Sequence, residues 1–190
     1  PPHHARARRP PPLPTLRHGP HDNHTTVPGC GRARPPALDR VTGNELGNIL
    51  TRSGFMTEIV RDDFAWGGFP IRQINWVELN PGAVTDWHYH IDQMDHLLGV
   101  SGTIKLALMD GRPGSPTEGV KDIIRLGALL PLVVTAPPGG WPGLLNETGA
   151  PAADPTLADQ PYIHPPPHTT RLRPHRPPTP HPGVAHVAGP

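Results

Sequence analysis

The sequence predicts an all-β fold, a small sandwich or barrel with disordered ends. Short apolar runs of about five to eight residues recur from Phe55 to Asn146, separated by Gly, Pro and Asn turns. Hardly any stretch repeats its apolar residues with a helical period. Histidine and proline collect outside this region: of 13 histidines, only His88, His90 and His96 lie between residues 51 and 150.

In chain order, residues 1–45 are low in complexity, and residues 1–36 carry six arginines against a single acid, Asp22. So few large apolar side chains cannot offset the entropy of ordering the chain, so disorder is expected there and again over the Pro/His-rich residues 165–190. A domain spanning 46–164 remains. "FMTEIV" is the first strand-like run, and "IRQINWVEL" (Ile71 to Leu79) follows and stops at "NPG". "DWHYH" and "DHLLGVS" come next. "TIKLALMD" alternates Ile104, Leu106 and Leu108 with Lys105 and Ala107, the period of a half-buried strand. After the turn "DGRPGSP" come "VKDIIRL", "LPLVVTA" and "WPGLLN", with Pro131 marking a strand start or an edge. Proline returns beyond Glu147, and Leu157 to His164 could hold one more short strand.

The bulk numbers exclude several classes. Net charge is +1, so no nucleic-acid partner is expected. No apolar run approaches the roughly 18 residues of a membrane span, and the N-terminus lacks a secretory apolar core. Cys30 is the single cysteine, which rules out an intrachain disulfide and suits a reducing, cytoplasmic setting.

The chemistry concentrates in "PGAVTDWHYHIDQMDHLLGVSG" (Pro81 to Gly102). His88 and His90 sit at i and i+2 of a strand and so share one face, with Trp87 and Tyr89 on the other. Imidazoles paired in an apolar interior suit acid–base chemistry near neutral pH or a divalent metal.

This stretch resembles the first cupin motif: Gly82, five residues, His88-Tyr89-His90, four residues, Asp95 in place of Glu, six residues, Gly102. "PPGGWPGLLN" resembles the second motif, with Pro142 at the usual histidine position. More narrowly, "SGFMTEIVRDDF", "WHYH" with Gln93 close behind, "GVSGTIKLALMDGRPGSPTEG" and "PPGGWPGLLN" resemble, in order, segments of the dTDP-4-dehydrorhamnose 3,5-epimerase family. The resemblance implies a cupin jelly roll that epimerises C3 and C5 of a dTDP-linked 4-keto-6-deoxyhexose without a cofactor, and that works as a homodimer. In that reading His88 is the base, His96 and Tyr162 are further catalytic candidates, and Phe55, Glu58, Arg61, Tyr89, Gln93 and Arg112 bind substrate. The lysine with which the family stabilises the enolate falls near Asp95 or His96; an acid there would repel the enolate, and His96 could replace the lysine only if protonated. Two alternatives stay open: a metal-binding cupin using His88, His90 and Asp95 for Fe, Mn or Zn, and a non-catalytic sugar-binding barrel.

Overall fold

The computed structural model describes residues 36–64, 70–161 and 169–172. Residues 1–35, Tyr162 and nearly all of the tail at 165–190 lie outside the described residues.

The described residues form strands and turns, with no helix. In chain order the strands are β1 (Thr42–Glu45), β2 (Asn48–Thr51), β3 (Gly54–Thr57), β4 (Gln73–Leu79), β5 (Trp87–His90), β6 (Asp95–Leu98), β7 (Thr103–Asp110), β8 (Lys121–Gly127), β9 (Leu132–Ala136), β10 (Gly140–Asn146), β11 (Ala152–Ala158) and β12 (Thr169–Leu172). One sheet runs β1-β9-β6-β11-β4 and a second runs β10-β7-β8. Strand β5 pairs with β12 on one side. On its other side the β5 segment docks on β10, through Thr85 N–H to Leu144 O at 2.9 Å and Gly139 N–H to His90 O at 2.9 Å. The result is a cupin jelly roll with all its named ladders antiparallel. Residues 42–45 fall within the segment read as low in complexity, yet they pair with β9 and extend the larger sheet.

The main core lies between the two sheets. Leu97, Leu132 and Val134 meet Ile104, Leu106, Leu108, Ile124 and Leu126 there. These side chains alternate along their strands, so each strand buries one row, at roughly 25 cal/mol per Å² of apolar surface removed from water. Strand β7 buries its second face as well, because Met109 packs with Trp141 and Tyr89 in a smaller cluster on the far side of the sheet.

The prolines sit where the ladders tolerate them. Pro131 immediately precedes β9, as a strand start. In β10 the N–H groups of Leu144 and Asn146 point away from β7, toward Thr85 and Ala83. Pro142, two residues earlier, keeps that parity, so its missing N–H removes no bond to β7. The proline-rich reading beyond Glu147 needs correction: β11 is a seven-residue strand that contains Pro155 and pairs with β4 along its whole length. The β6 ladder covers only Thr156–Ala158, stopping just short of that proline.

Strands β2 and β3 form a hairpin apart from both sheets. It exposes Ile49, Leu50, Phe55 and Met56, with Leu50 85 % accessible.

Candidate active site

The site is built on β5 and β6, and glycines set its frame. Gly82 (φ 69°) turns the chain into the approach to β5, and Gly102 (φ 65°) turns it between β6 and β7. Both hold left-handed conformations that favour glycine, and a Cβ on Gly102 would lie 2.8 Å from the Ala152 Cβ. These two turns account for the spacing around the histidines.

Alternation along β5 puts His88 and His90 on the barrel's inner face. Tyr89 goes to the other side, its ring centroid 4.7 Å from that of Trp141. Burial and the charge of Asp92 raise the Tyr89 phenol above its ordinary range. Tyr89 is therefore part of the outer aromatic cluster and does not face the site with His88.

Asp95 opens β6 on the inner face, where its register neighbours are Ala136 and Ala158. Those small side chains leave room for a carboxylate and an imidazole. Asp95 Oδ2 lies 3.3 Å from His90 Nε2, with both side chains largely buried. Gln93 Nε2 donates to Asp95 Oδ1 at 2.6 Å. Burial raises the Asp95 carboxyl above its ordinary range, against the pull of His90, the Gln93 hydrogen bond and the weaker pull of His88, while Asp159 pushes it up further. The structure thus gathers His88, His90, Gln93 and Asp95 into one polar cluster at the edge of an apolar core.

Two acids that the sequence reading passed over support this cluster. Asp159 Oδ1 accepts the Met94 N–H at 2.9 Å and anchors the turn leading into β6. Asp154, on β11, is fully buried; Oδ1 accepts the Leu98 N–H at 2.7 Å, while Oδ2 has no hydrogen-bond partner among the described residues. Burial drives its carboxyl up to about 8, against the Leu98 hydrogen bond and with added repulsion from Asp95. An acid inside "AADPTLA" was the available signal, but the Asp-Pro pair reads as a turn.

The other expected residues lie elsewhere. His96 follows Asp95 on the strand and so points to the opposite face, where Nδ1 is 2.8 Å from Thr135 Oγ1. Burial lowers its imidazole to about 4, so it is neutral at pH 7 and cannot serve as a protonated lysine substitute. Arg112 is engaged by Asp110 through Nε at 2.8 Å and a second nitrogen at 2.7 Å, and by the Asp39 carbonyl. It ties the 110–118 turn to the chain ahead of β1. Phe55 lies on the exposed hairpin; beyond it Glu58 pairs with Arg61 at 3.3 Å, and Arg61 with Asp63 at 2.7 Å. A surface pocket of about 470 Å³ beside this arm is lined by Asn44, Glu45, Ile49, Glu58 and Phe64, and none of the histidine cluster borders it. Tyr162 lies outside the described residues.

Among the described residues, no three His, Cys, Asp or Glu side chains are arranged to hold a metal ion. The expected set of His88, His90 and Asp95 is not such a group. The second motif adds no donor, since Pro142 has none.

Comparison with known proteins gives a consistent picture. No family model matches the chain. It is 31 % identical over 111 residues to the probable low-salt glycan biosynthesis epimerase Agl13 of Haloferax volcanii, covering 57 % of this chain and 70 % of that protein. It is 33 % identical over 113 residues to the spore coat polysaccharide biosynthesis protein SpsL of Bacillus subtilis, covering 58 % and 74 %. Among solved structures, a dTDP sugar isomerase from Desulfovibrio desulfuricans superposes with a TM-score of 0.66 at 25 % identity, over 71 % of this chain and 85 % of that one. A dTDP-6-deoxy-D-glucose-3,5-epimerase from Legionella pneumophila, in complex with dTDP-4-keto-L-rhamnose, shares the fold with a TM-score of 0.66 at 19 % identity, over 80 % and 79 %.

Proposed function

Since the chain belongs to the dTDP-4-dehydrorhamnose 3,5-epimerase family of sugar epimerases, we propose that it epimerises a nucleotide-linked 4-keto-6-deoxy sugar by removing and returning a proton beside the ketone. The observation that carries this is His88 on the inner face of β5, next to the buried His90–Asp95 pair. A carbonyl acidifies its neighbouring C–H bonds, and a neutral imidazole is a competent base near pH 7. His88 takes the proton; the carbanion is an enolate with its charge on the C4 oxygen; return of a proton to the other face inverts the carbon. The substrate we assign is dTDP-4-dehydro-6-deoxyglucose.

The exposed hairpin supports a homodimer. Phe55, Glu58 and Arg61 sit on an arm outside both sheets, and among the described residues the ion pairs of Glu58 and Arg61 stay within that arm. A second copy brings such an arm to a neighbour's site and covers Leu50, Phe55 and Met56. A single cysteine suits a cytoplasmic setting, and among the described residues no helix is long and apolar enough to cross a membrane.

The test is turnover of dTDP-4-dehydro-6-deoxyglucose by chelator-treated protein, with the epimers resolved by chromatography. Wild type converts it, and His88→Ala loses about 10²- to 10⁴-fold in kcat. Equal turnover in the two proteins contradicts the assignment.

A further inference from the structure

We propose that Arg171 is a further catalytic residue: its guanidinium donates to the sugar's C4 oxygen as the enolate forms beside His88. This rests on the epimerase reading above and goes beyond it by naming the group that meets the developing charge.

The chemistry demands a donor, and a cation suits it best. When His88 removes the proton at C3 or C5, the C–H electron pair moves into the ring bond and the carbonyl π pair moves onto oxygen. A positive charge already in place at that oxygen stabilises the transition state more than the neutral ketone. Reprotonation of the carbon reverses the electron flow, so the step balances without any further reactant.

The main-chain register places the candidate. Strand β12 lies in the Pro/His-rich tail and pairs antiparallel with β5, setting Thr169 opposite His90, Thr170 opposite Tyr89, Arg171 opposite His88 and Leu172 opposite Trp87. Positions directly opposite one another in an antiparallel pair share a face, with Cβ atoms about 4.5–5.5 Å apart. Positions 169 and 171 therefore fall on the face of the two histidines, and positions 170 and 172 on that of Trp87 and Tyr89. The reacting carbon and the carbonyl carbon are bonded neighbours, so the base and the group at oxygen must be neighbours too. Position 171 meets that requirement across the ladder.

Other cations are committed elsewhere. Lys105 and Arg125 pair with Glu147 at 2.6 Å and 2.8 Å. Arg112 is engaged by Asp110 and Asp39, and Arg61 by Glu58 and Asp63. Asp95, at the position where the resemblance led us to look for a lysine, is an acid and would repel an enolate. His96 is on the opposite face, against Thr135. Arginine brings to position 171 a charge that is always present and paired N–H groups in a fixed plane.

The experiment measures kcat on dTDP-4-dehydro-6-deoxyglucose and, by calorimetry, the dissociation constant of dTDP, with thermal melting as the check on folding. Arg171→Gln lowers kcat about 100- to 1,000-fold while dTDP affinity stays within about threefold. Arg171→Lys, which keeps the charge without the planar fork, recovers part of that loss. Thr170→Ala, on the other face of β12, keeps wild-type turnover. Arg171→Met decides the matter by the same criterion if Arg171→Gln does not fold. Undiminished kcat in the folded Arg171 variants, while His88→Ala has lost it, overturns the assignment of Arg171 alone. So does a loss confined to dTDP affinity, which would make Arg171 a phosphate ligand, or an equal loss in Thr170→Ala, which would make β12 merely a covering strand. A wild-type protein that binds dTDP but turns nothing over overturns it together with the epimerase reading.

Discussion

Asp154 Oδ1 accepts the Leu98 amide at 2.7 Å, in the stretch of the β6–β11 interface where Pro155 ends the main-chain ladder. A side chain replaces the backbone acceptor there, which keeps the Leu98 N–H satisfied inside the sheet. The arrangement has an electrostatic cost, because the carboxyl is fully buried and takes its proton up to about pH 8.

That cost makes stability depend on pH. The folded carboxyl titrates at about 8 and the unfolded one near 3.8. Its favourable contribution is complete below the unfolded value and is lost as pH rises toward 8, where the unfolded chain has released a proton that the folded chain holds. Asp154→Asn keeps an acceptor for Leu98 without the titration. Thermal melts should show the variant gaining on wild type from pH 4 to pH 8, by on the order of a few kcal/mol at the alkaline end. A constant difference across that range contradicts the assignment.

His96 acts at the opposite end. Its folded imidazole titrates at about 4 against an ordinary 6.5. The stability it contributes is present above 6.5 and is lost as pH falls through 4, because the unfolded chain takes up a proton first. His96→Gln, which can still reach Thr135, should flatten this acid limb, recovering on the order of 2 kcal/mol relative to its own neutral-pH stability. Urea titrations at pH 7, 5.5 and 4 measure it. An unchanged acid limb sinks the assignment.

Packing predicts a contrast among glycines. A Cβ on Gly99 would lie 2.5 Å from the Gly127 backbone nitrogen, and backbone cannot swing aside as a side chain can. Gly99→Ala should cost about 1–3 kcal/mol or more. Gly47 and Gly149 have nothing within 4 Å, so alanine there should change stability by no more than about 0.5 kcal/mol. Chemical denaturation of the three variants compares them directly.

The homodimer assignment predicts complementation. Phe55→Asp should weaken the arm's docking, and His88→Ala should remove the base. Mixed and reannealed, the two inactive proteins should recover about a quarter of wild-type turnover, since half the dimers are mixed and each carries one intact site. Sedimentation should find wild type as a dimer. No recovery from a mixture shown to contain mixed dimers contradicts an arm that completes the neighbour's site.

Much of the barrel was legible because its strands follow simple rules. The alternation of Ile104, Leu106 and Leu108 gave β7 from Thr103 to Asp110, and the i, i+2 spacing of His88 and His90 gave their shared face. The same period-2 rule separates Asp95 from His96, which cannot both enter one site from adjacent strand positions. β11 was hidden because Asp154 and Pro155 interrupt its apolar residues, and only pairing with β4 and a side-chain bond to Leu98 make it a strand. The role of Arg112 was hidden for another reason. A cation in a turn after a strand suits a phosphate, but here Asp110 and Asp39 from the fold itself take up the guanidinium. Asp39 lies 73 residues away and leaves no local pattern, and Asp110, two residues before Arg112, meets it only because the turn folds back.

The most direct test of the central claim is solvent exchange. Folded, chelator-treated protein would be incubated with dTDP-4-dehydro-6-deoxyglucose in deuterium oxide, and C3 and C5 followed by NMR. The account predicts deuterium uptake next to the C4 ketone that vanishes in His88→Ala. Absence of uptake in well-folded wild type, or uptake undiminished in His88→Ala, would contradict it.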